Sequence, residues 1–167
     1  MLPDGRLLVS GDQRVVQNSV PSFDLIVARY TSAGALDPTF GGGTGFVVHE
    51  GGGSESMWDM AVYLDGRIVV AGETSPPAGI DSFVARLLDD GTRDSTFNGD
   101  GLVSLAFSSA TDQFEDVAIR PDAKIVAVGT APTGTTRNPI DDVLVARYLG
   151  DSGSSSPMAT LSTRNRL

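Results

Sequence analysis

The sequence predicts an all-β fold made of one unit that occurs three times. Three stretches share a tight turn followed by an apolar strand: PDGRLLVSG ending at Gly11, LDGRIVVAG ending at Gly72 and PDAKIVAVG ending at Gly129. Three more share Ala-Arg in the fifth and sixth places: DLIVARY from Asp24, DSFVARL from Asp81 and DVLVARY from Asp142. Such self-similarity is typical of repeat architectures, and 20 glycines and 9 prolines suit many short strands joined by turns.

The spacing of these motifs locates the variable part of the repeat. The distance from the arginine to the next turn is 37 residues both times, from Arg29 to Gly66 and from Arg86 to Ala123. The distance from turn to arginine is 24, 20 and 24 residues. All net variation in length therefore falls between the strand that follows the turn and the strand that carries the arginine. This predicts a surface loop between those two strands.

Each unit is predicted to contain four strands, labelled a to d. We expect strand a near 57–63 and 114–120, strand b near 7–10, 68–71 and 125–128, strand c at 25–30, 83–87 and 143–148, and strand d at 46–49 and 102–107. Strand b is a continuous apolar run bounded by glycine, which is typical of a strand covered on both faces. The Asp-Gly pairs at 4–5 and 65–66 predict type I′ hairpins between strands a and b, with positive φ at both central residues.

Four-stranded units at this spacing are typical of β-propeller blades. The motifs PDGR, VVAG, FVARL and DSTFNGDG together resemble the delta-60 repeat, a propeller-like repeat of bacterial, mostly secreted or surface proteins. The resemblance covers about residues 2–150 and departs at Ala123, which replaces the turn glycine, and at GGGTG, where the second copy has NGDG. It implies a β-propeller-type fold of about three blades and an extracellular or cell-surface location, and it carries no catalytic motif.

The predicted domain is residues 1–150, with repeats at about 2–63, 64–120 and 121–150, followed by a flexible Ser-rich tail at 151–167. The first repeat lacks strand a, and the tail does not match strand d. Three blades leave two blade faces uncovered. We therefore expect either the remaining blades of a longer chain, which we favour, or a homo-oligomer.

Composition excludes several classes of partner and chemistry. The net charge of −9 and the single lysine, Lys124, argue against nucleic acid. The absence of cysteine excludes disulfides, thiolate metal sites and a cysteine nucleophile. No apolar run is long enough for a membrane helix, and Met1 is not followed by a signal segment.

The charged residues that recur in every copy are expected to be structural. They are Asp24, Asp81 and Asp142 before strand c, and Arg29, Arg86 and Arg147 within it. Five residues apart on one strand, Asp and Arg point to opposite faces, so they cannot pair within one copy. We expect hydrogen bonding between blades instead, and the same for Asp59 and Asp116 of strand a, whose alternative is to line the propeller centre.

One loop has the oxygen-rich composition of a calcium site. Asp94, Asn98 and Asp100 lie in DSTFNGDG, whose spacing loosely resembles a calcium loop. The first copy keeps Asp37 but has Gly41 and Gly43 in place of the other two. A glycine-rich bend needs no metal, so no cofactor is the main expectation and calcium at these three residues is the alternative.

His49, Trp58 and Phe114 are side chains that could in principle carry chemistry or bind a ligand. His49 is the only histidine, and without a nucleophile motif nearby it is predicted to be a solvated residue at a strand end. Trp58 and Phe114 begin strand a in their copies, and core or interface packing is expected for both rather than ligand stacking.

The segments that differ most between the copies are predicted to lie at one end of the strands. We call this end the rim. In an antiparallel blade the b–c loops (12–22, 73–80 and 130–141) and the d–a loops (50–56 and 108–113) emerge there, and their sequences differ most between copies. We therefore predict a non-catalytic binding or scaffold module for protein or glycan, with Arg14, Glu55 and Arg137 as exposed candidates on the rim. The alternative is a fragment of a propeller lyase or hydrolase whose active site lies outside this chain.

Overall fold

The computed structural model describes residues 1–17, 20–50, 53–75, 79–107, 111–135, 138–149 and 158–162. These residues form three antiparallel sheets of consecutive strands, with no α-helix among them. The predicted all-β fold of sequential, propeller-type blades is therefore confirmed. No helix in this part of the chain has the length and apolar character to cross a membrane.

The three sheets follow one another along the chain. Sheet one contains β1 (Leu7–Gln17), β2 (Val20–Tyr30) and β3 (Phe46–His49). Sheet two contains β4 (Glu55–Val62), β5 (Ile68–Thr74), β6 (Asp81–Leu87) and β7 (Leu102–Leu105). Sheet three contains β8 (Gln113–Ile119), β9 (Ile125–Thr135), β10 (Asn138–Tyr148) and β11 (Met158–Ser162). A short 3-10 turn, Gly41–Gly43, lies between β2 and β3.

The a–b turn differs from the predicted type I′ hairpin. Only its third residue has positive φ: Gly5 at 84°, Gly66 at 93° and Ala123 at 60°. In the second copy the amide of Gly66 donates to the carbonyl of Tyr63 at 3.0 Å, and the amide of Tyr63 donates to the carbonyl of Arg67 at 2.8 Å. This is the geometry of a three-residue loop ending in a left-handed residue, so Asp65 has no need of positive φ.

Two of the predicted b–c loops are long β-hairpins. β1 and β2 pair from Leu7↔Tyr30 to Gln17↔Val20, and β9 and β10 pair from Ile125↔Tyr148 to Thr135↔Asn138. The loop prediction for most of 12–22 and 130–141 is therefore wrong. Both segments are rich in valine or threonine, whose branched side chains favour extended structure. In the second copy β5 ends at Thr74, shortly before two consecutive prolines in the sequence.

The third sheet has a fourth strand that the sequence did not predict. β11 pairs with the outer edge of β10 from Val143↔Ser162 to Arg147↔Met158. It lies within the tail, residues 151–167, for which a flexible segment was predicted. A free strand edge pairs through backbone groups, which explains why an extended segment without the strand d motif can occupy it.

Strand a of sheets two and three contains a β-bulge that requires a glycine opposite it. The register shifts between Met57 and Asp59 in β4, and between Phe114 and Asp116 in β8. A Cβ atom added to Gly72 or Gly129 would meet the backbone carbonyl of the bulged strand, whereas one added to Gly11 would meet nothing. The recurring glycine therefore allows the bulge, which is a common device for redirecting a side chain.

Sheet two packs against both other sheets, which gives two interfaces. The first interface, between sheets one and two, buries Leu25 and Val27 against Val70 and Phe83. The second, between sheets two and three, buries a larger set that includes Phe97, Phe114, Leu144 and Tyr148. The described residues do not close the three sheets into a ring. The face of sheet one that points away from sheet two exposes apolar side chains, namely Leu7, Val9, Phe46 and Val48.

Candidate functional site

A pocket of about 190 Å³ lies at the first interface. We call it the interblade pocket, and its lining residues are Leu25, His49, Glu55, Thr74, Asp81, Phe83, Ala85, Arg93, Leu102 and Ser104. Four of the polar residues stand at strand ends on the rim: His49 ends β3, Glu55 begins β4, Thr74 ends β5 and Asp81 begins β6. The pocket therefore places polar groups of both sheets at the end of the molecule where the sequences of the copies differ most.

Glu55 lies inside the pocket rather than on the exposed surface. Its side chain is only 3% exposed, so the prediction of an exposed candidate is wrong. Its Oε1 accepts hydrogen bonds from the amide of Gly53 at 3.1 Å and from the hydroxyl of Thr74 at 3.2 Å. Thr74 lies directly opposite Glu55 in the ladder, and Asp81 lies directly opposite Thr74, so the three form one row across sheet two.

His49 faces this row from sheet one. Its Nε2 lies 3.0 Å from the carbonyl oxygen of Gly91, which can only accept, so Nε2 carries the proton and Nδ1 of the neutral ring is an acceptor. Burial lowers the pKa of His49 from its ordinary value of 6.5, and the charge of Arg93 lowers it further. The imidazole is thus partly buried and held neutral, unlike the solvated histidine predicted from the sequence.

Arg93 and Ser104 add donors to the same pocket. The guanidinium of Arg93 donates to the carbonyl of Glu50 at 2.6 Å, which fixes the arginine across the interface. Ser104 is exposed, and its neighbour on the same face of β7 is Leu102. Phe83 and Leu25 supply apolar surface. The pocket therefore combines hydrogen-bond acceptors, donors and an apolar wall.

The arginines that recur in strand c have structural roles in the first two copies. Arg29 Nε donates to Asp37 at 2.8 Å, and Arg86 Nε donates to Asp94 at the same distance. Each guanidinium also stacks on a phenylalanine of its own copy, Phe40 at 4.8 Å or Phe97 at 5.0 Å. The prediction that the arginine does not pair with the aspartate before strand c agrees with these bonds. The partner of each arginine is a different aspartate of the same copy.

Arg29 also connects the two sheets of the first interface, as expected for a recurring charge. Its NH1 group donates to the backbone carbonyl of Asp89 at 2.6 Å and to the carboxylate of Asp89 at 2.8 Å. Asp24 and Asp142 are buried.

The three residues of the predicted calcium loop have other partners. Burial would raise the pKa of Asp94, but hydrogen bonds from Thr96 and the Arg86 guanidinium lower it. Asn98 donates to the carbonyl of Leu102 at 2.7 Å, and Asp100 accepts from the amide of Leu102 at 3.0 Å. Among the described residues, no group of three or more His, Asp or Glu side chains is placed to hold a metal ion. The geometry gives the calcium prediction no support.

The carboxylates of strand a meet at the second interface. Asp59 Oδ2 accepts from the amide of Val117 at 2.9 Å, so the bulge in β4 directs this side chain onto β8. The hydrogen bond and the negative charge of Asp59 raise the pKa of Asp116. Phe114 is fully buried, as predicted, but Trp58 is 54% exposed because it lies within the bulge.

The rim is where the long hairpins and the d–a connections meet. The amide of Phe23 in the first hairpin donates to Ser54 Oγ at 3.1 Å, and Ile80 pairs with Thr111 in a parallel bridge. Arg14 is exposed on this hairpin, as predicted. Arg137, the third predicted candidate, lies outside the described residues.

Sequence reasoning missed Thr74, Arg93 and Ser104 as pocket residues. The signal that would have found them is a comparison of the copies position by position. By strand pairing, His49 corresponds to Leu105 and Thr74 to Ala131. At these two positions, polar residues of the interblade pocket replace apolar residues of the next copy.

A family model described as a β-propeller domain of unknown function (DUF5122) matches residues 2–40 and 64–97. The matched segments contain strands b and c and the turn that follows in the first two copies, but they make up less than half of the chain. This match agrees with the propeller-type fold, whereas the more specific delta-60 assignment stays a prediction. No curated protein matches the chain.

Proposed function

We propose that this chain is a non-catalytic β-propeller-type module that holds a protein or glycan at its rim, within a secreted or surface protein of bacteria. The observation that carries the proposal is the concentration of chain-specific structure at the rim. Two hairpins, β1–β2 and β9–β10, extend there, and the strand-end residues of the interblade pocket lie at the same end of the sheets. Rigid strands that present variable segments on one face are suited to holding a partner.

The buried ion pairs of the recurring arginines support a scaffold role. Arg29 and Arg86 are 2% and 0% exposed, and each is neutralised by an aspartate of the same copy. Buried ion pairs of this kind fix the connection between strands c and d rather than present reactive groups. The alternative, a fragment of a propeller lyase or hydrolase, stays a prediction.

The outer faces support association with further blades. In sheet three, Val143 and Val145 correspond to Leu25 and Val27 of sheet one, which pack into the first interface. Val143 is 41% exposed. We propose that blades of a longer chain, or a second copy, cover this face and the outer face of sheet one. Light scattering on the purified chain tests this, because a stable, well-dispersed monomer would contradict both versions.

The rim proposal is tested by shortening one hairpin. Replacing residues 133–140 with a short Gly-Ser turn removes the end of the β9–β10 ribbon and leaves the part of both strands that pairs inside sheet three. We expect unchanged circular dichroism and loss of binding on a glycan array and in pull-downs with surface proteins. The matched variant Arg14→Ala on the other hairpin should weaken binding without changing the fold. Full binding by both variants would exclude the rim.

A further inference from the structure

The size of the interblade pocket limits what it can hold. Its volume is about 190 Å³. An apolar protein cavity of about 150 Å³ holds one benzene ring, whereas sites for drug-sized ligands measure roughly 300–1,000 Å³. The pocket is thus large enough for one six-membered ring and smaller than the usual site of a drug-sized ligand.

The chemistry of the lining narrows the class of ring. Glu55, Asp81 and the Nδ1 atom of His49 accept hydrogen bonds, while Arg93 and Ser104 donate them. A purely apolar ring would cover the partly exposed polar groups of the lining without offering them hydrogen bonds. An anion would face two carboxylates, and a cation would face the Arg93 guanidinium. A neutral polyol satisfies both kinds of group, because each hydroxyl both donates and accepts.

The apolar wall suits a sugar rather than an open-chain polyol. Leu25 of sheet one and Phe83 and Leu102 of sheet two supply the apolar part of the lining. A pyranose ring has C–H groups on its faces and hydroxyls around its edge, so its face can pack on this wall while its edge reaches the polar groups. This arrangement matches apolar burial with hydrogen-bonded polar groups.

The second interface has different side chains at the positions that correspond to the pocket lining. At the positions that correspond to Thr74 and Phe83, sheet three has Ala131 and Leu144, and both are fully buried. Leu105, which replaces His49, packs against the second core together with Phe107. In the first interface the sequence after His49 is Glu50 and three glycines, which provide no apolar side chain to fill the space.

We infer that the interblade pocket binds one monosaccharide ring, as a residue of a glycan. The inference rests on the proposed binding function and selects glycan over protein as the ligand of this pocket. The hairpins of the rim then contact whatever surrounds that sugar.

The sole histidine provides a direct probe, since its imidazole gives the only histidine signals in an NMR spectrum of the chain. Glucose, galactose, mannose and N-acetylglucosamine are titrated separately into the full chain to millimolar concentration, and the ring nitrogens of His49 are observed. We expect at least one sugar to shift these signals saturably. The variant Ser104→Phe, which places an aromatic ring over the pocket from an exposed position, should weaken this binding at least about tenfold.

Two controls separate this inference from the rim proposal. Arg14→Ala and the shortened hairpin should retain the monosaccharide shift, because neither changes the pocket lining. Phenol and N-acetyl-lysine amide should not shift His49. The inference is overturned if no sugar shifts His49, if Ser104→Phe binds as well as the unaltered chain, or if only the two control compounds bind. The hairpin experiment tests the rim proposal independently of these three outcomes.

Discussion

The first and second interfaces use the same repeat positions but differ in how their rim ends are filled. In the second, Leu105 and Phe107 pack against the core, and Asp112 is fully buried with its carboxylate bonded to the amide of Phe107 at 2.6 Å. In the first, His49 and Glu55 occupy the positions of Leu105 and Asp112 beside a pocket. The rim ends of the two interfaces thus carry different side chains at corresponding strand positions.

The two interfaces also differ in their polar contacts. The first is crossed by charged groups, with Arg29 bonded to Asp89 and Arg93 bonded to the carbonyl of Glu50. The second is crossed by the carboxylate of Asp59, which accepts from the amide of Val117, by the hydroxyl of Tyr63, which donates to the carbonyl of Ala123 at 2.9 Å, and by an aromatic contact between Phe97 and Tyr148. We therefore expect the second interface to contribute more to stability and the first to contribute more to binding.

The largest difference in stability is expected between two equivalent residues of strand a. Phe114 is fully buried in the second interface, and Met57, its counterpart, is partly buried in the first. Phe114→Ala should lower the free energy of unfolding by about 3–5 kcal/mol, whereas Met57→Ala should cost less than about 2 kcal/mol. Urea denaturation measures both. If Phe114→Ala does not fold, Phe114→Leu and Met57→Leu replace the two variants. Phe114→Leu should then lose more free energy of unfolding than Met57→Leu, by a smaller margin, and equal losses would contradict the expected difference.

A smaller loss is expected from a methyl group placed opposite a bulge. Gly129→Ala would bring Cβ against the carbonyl of Gln113, so the bulged strand would have to move. The expected cost is about 1–3 kcal/mol, the usual cost of overpacking. Gly11→Ala is the matched control, because no atom lies near its added Cβ. Thermal melts that show the same change for both variants would remove the bulge argument.

Most of the fold could be predicted because it depends on local patterns that recur. The strand c motif and the glycine at the end of strand b recur at fixed distances, and each recurrence is a strand of the structure. The strand ends were less predictable. Val15 and Val16 extend β1 beyond the glycine that appeared to end it, since pairing with β2 continues through Gly11.

The site was less predictable because burial at an interface depends on the facing sheet. Glu55 was expected on the surface from its place in a d–a connection, but His49 and Arg93 face it from other parts of the chain. Trp58 was expected to pack like Phe114, but the bulge aligns Met57 with Phe114 and turns Trp58 outward. One extra residue at the bulge, which the sequence does not reveal, thus decided that Met57 rather than Trp58 takes the position of Phe114.

The most direct test of an open, partly buried first interface is the pKa of His49, read from its NMR signals during a pH titration. Burial and the charge of Arg93 should hold this pKa below 6.5, against the hydrogen bond to Gly91, which acts in the opposite direction. Because the folded value is the lower one, stability is full above 6.5 and falls slightly as the pH drops through the folded pKa. A pKa at or above 6.5 would mean that His49 is solvated or paired with Glu55 or Asp81, and would contradict the pocket described.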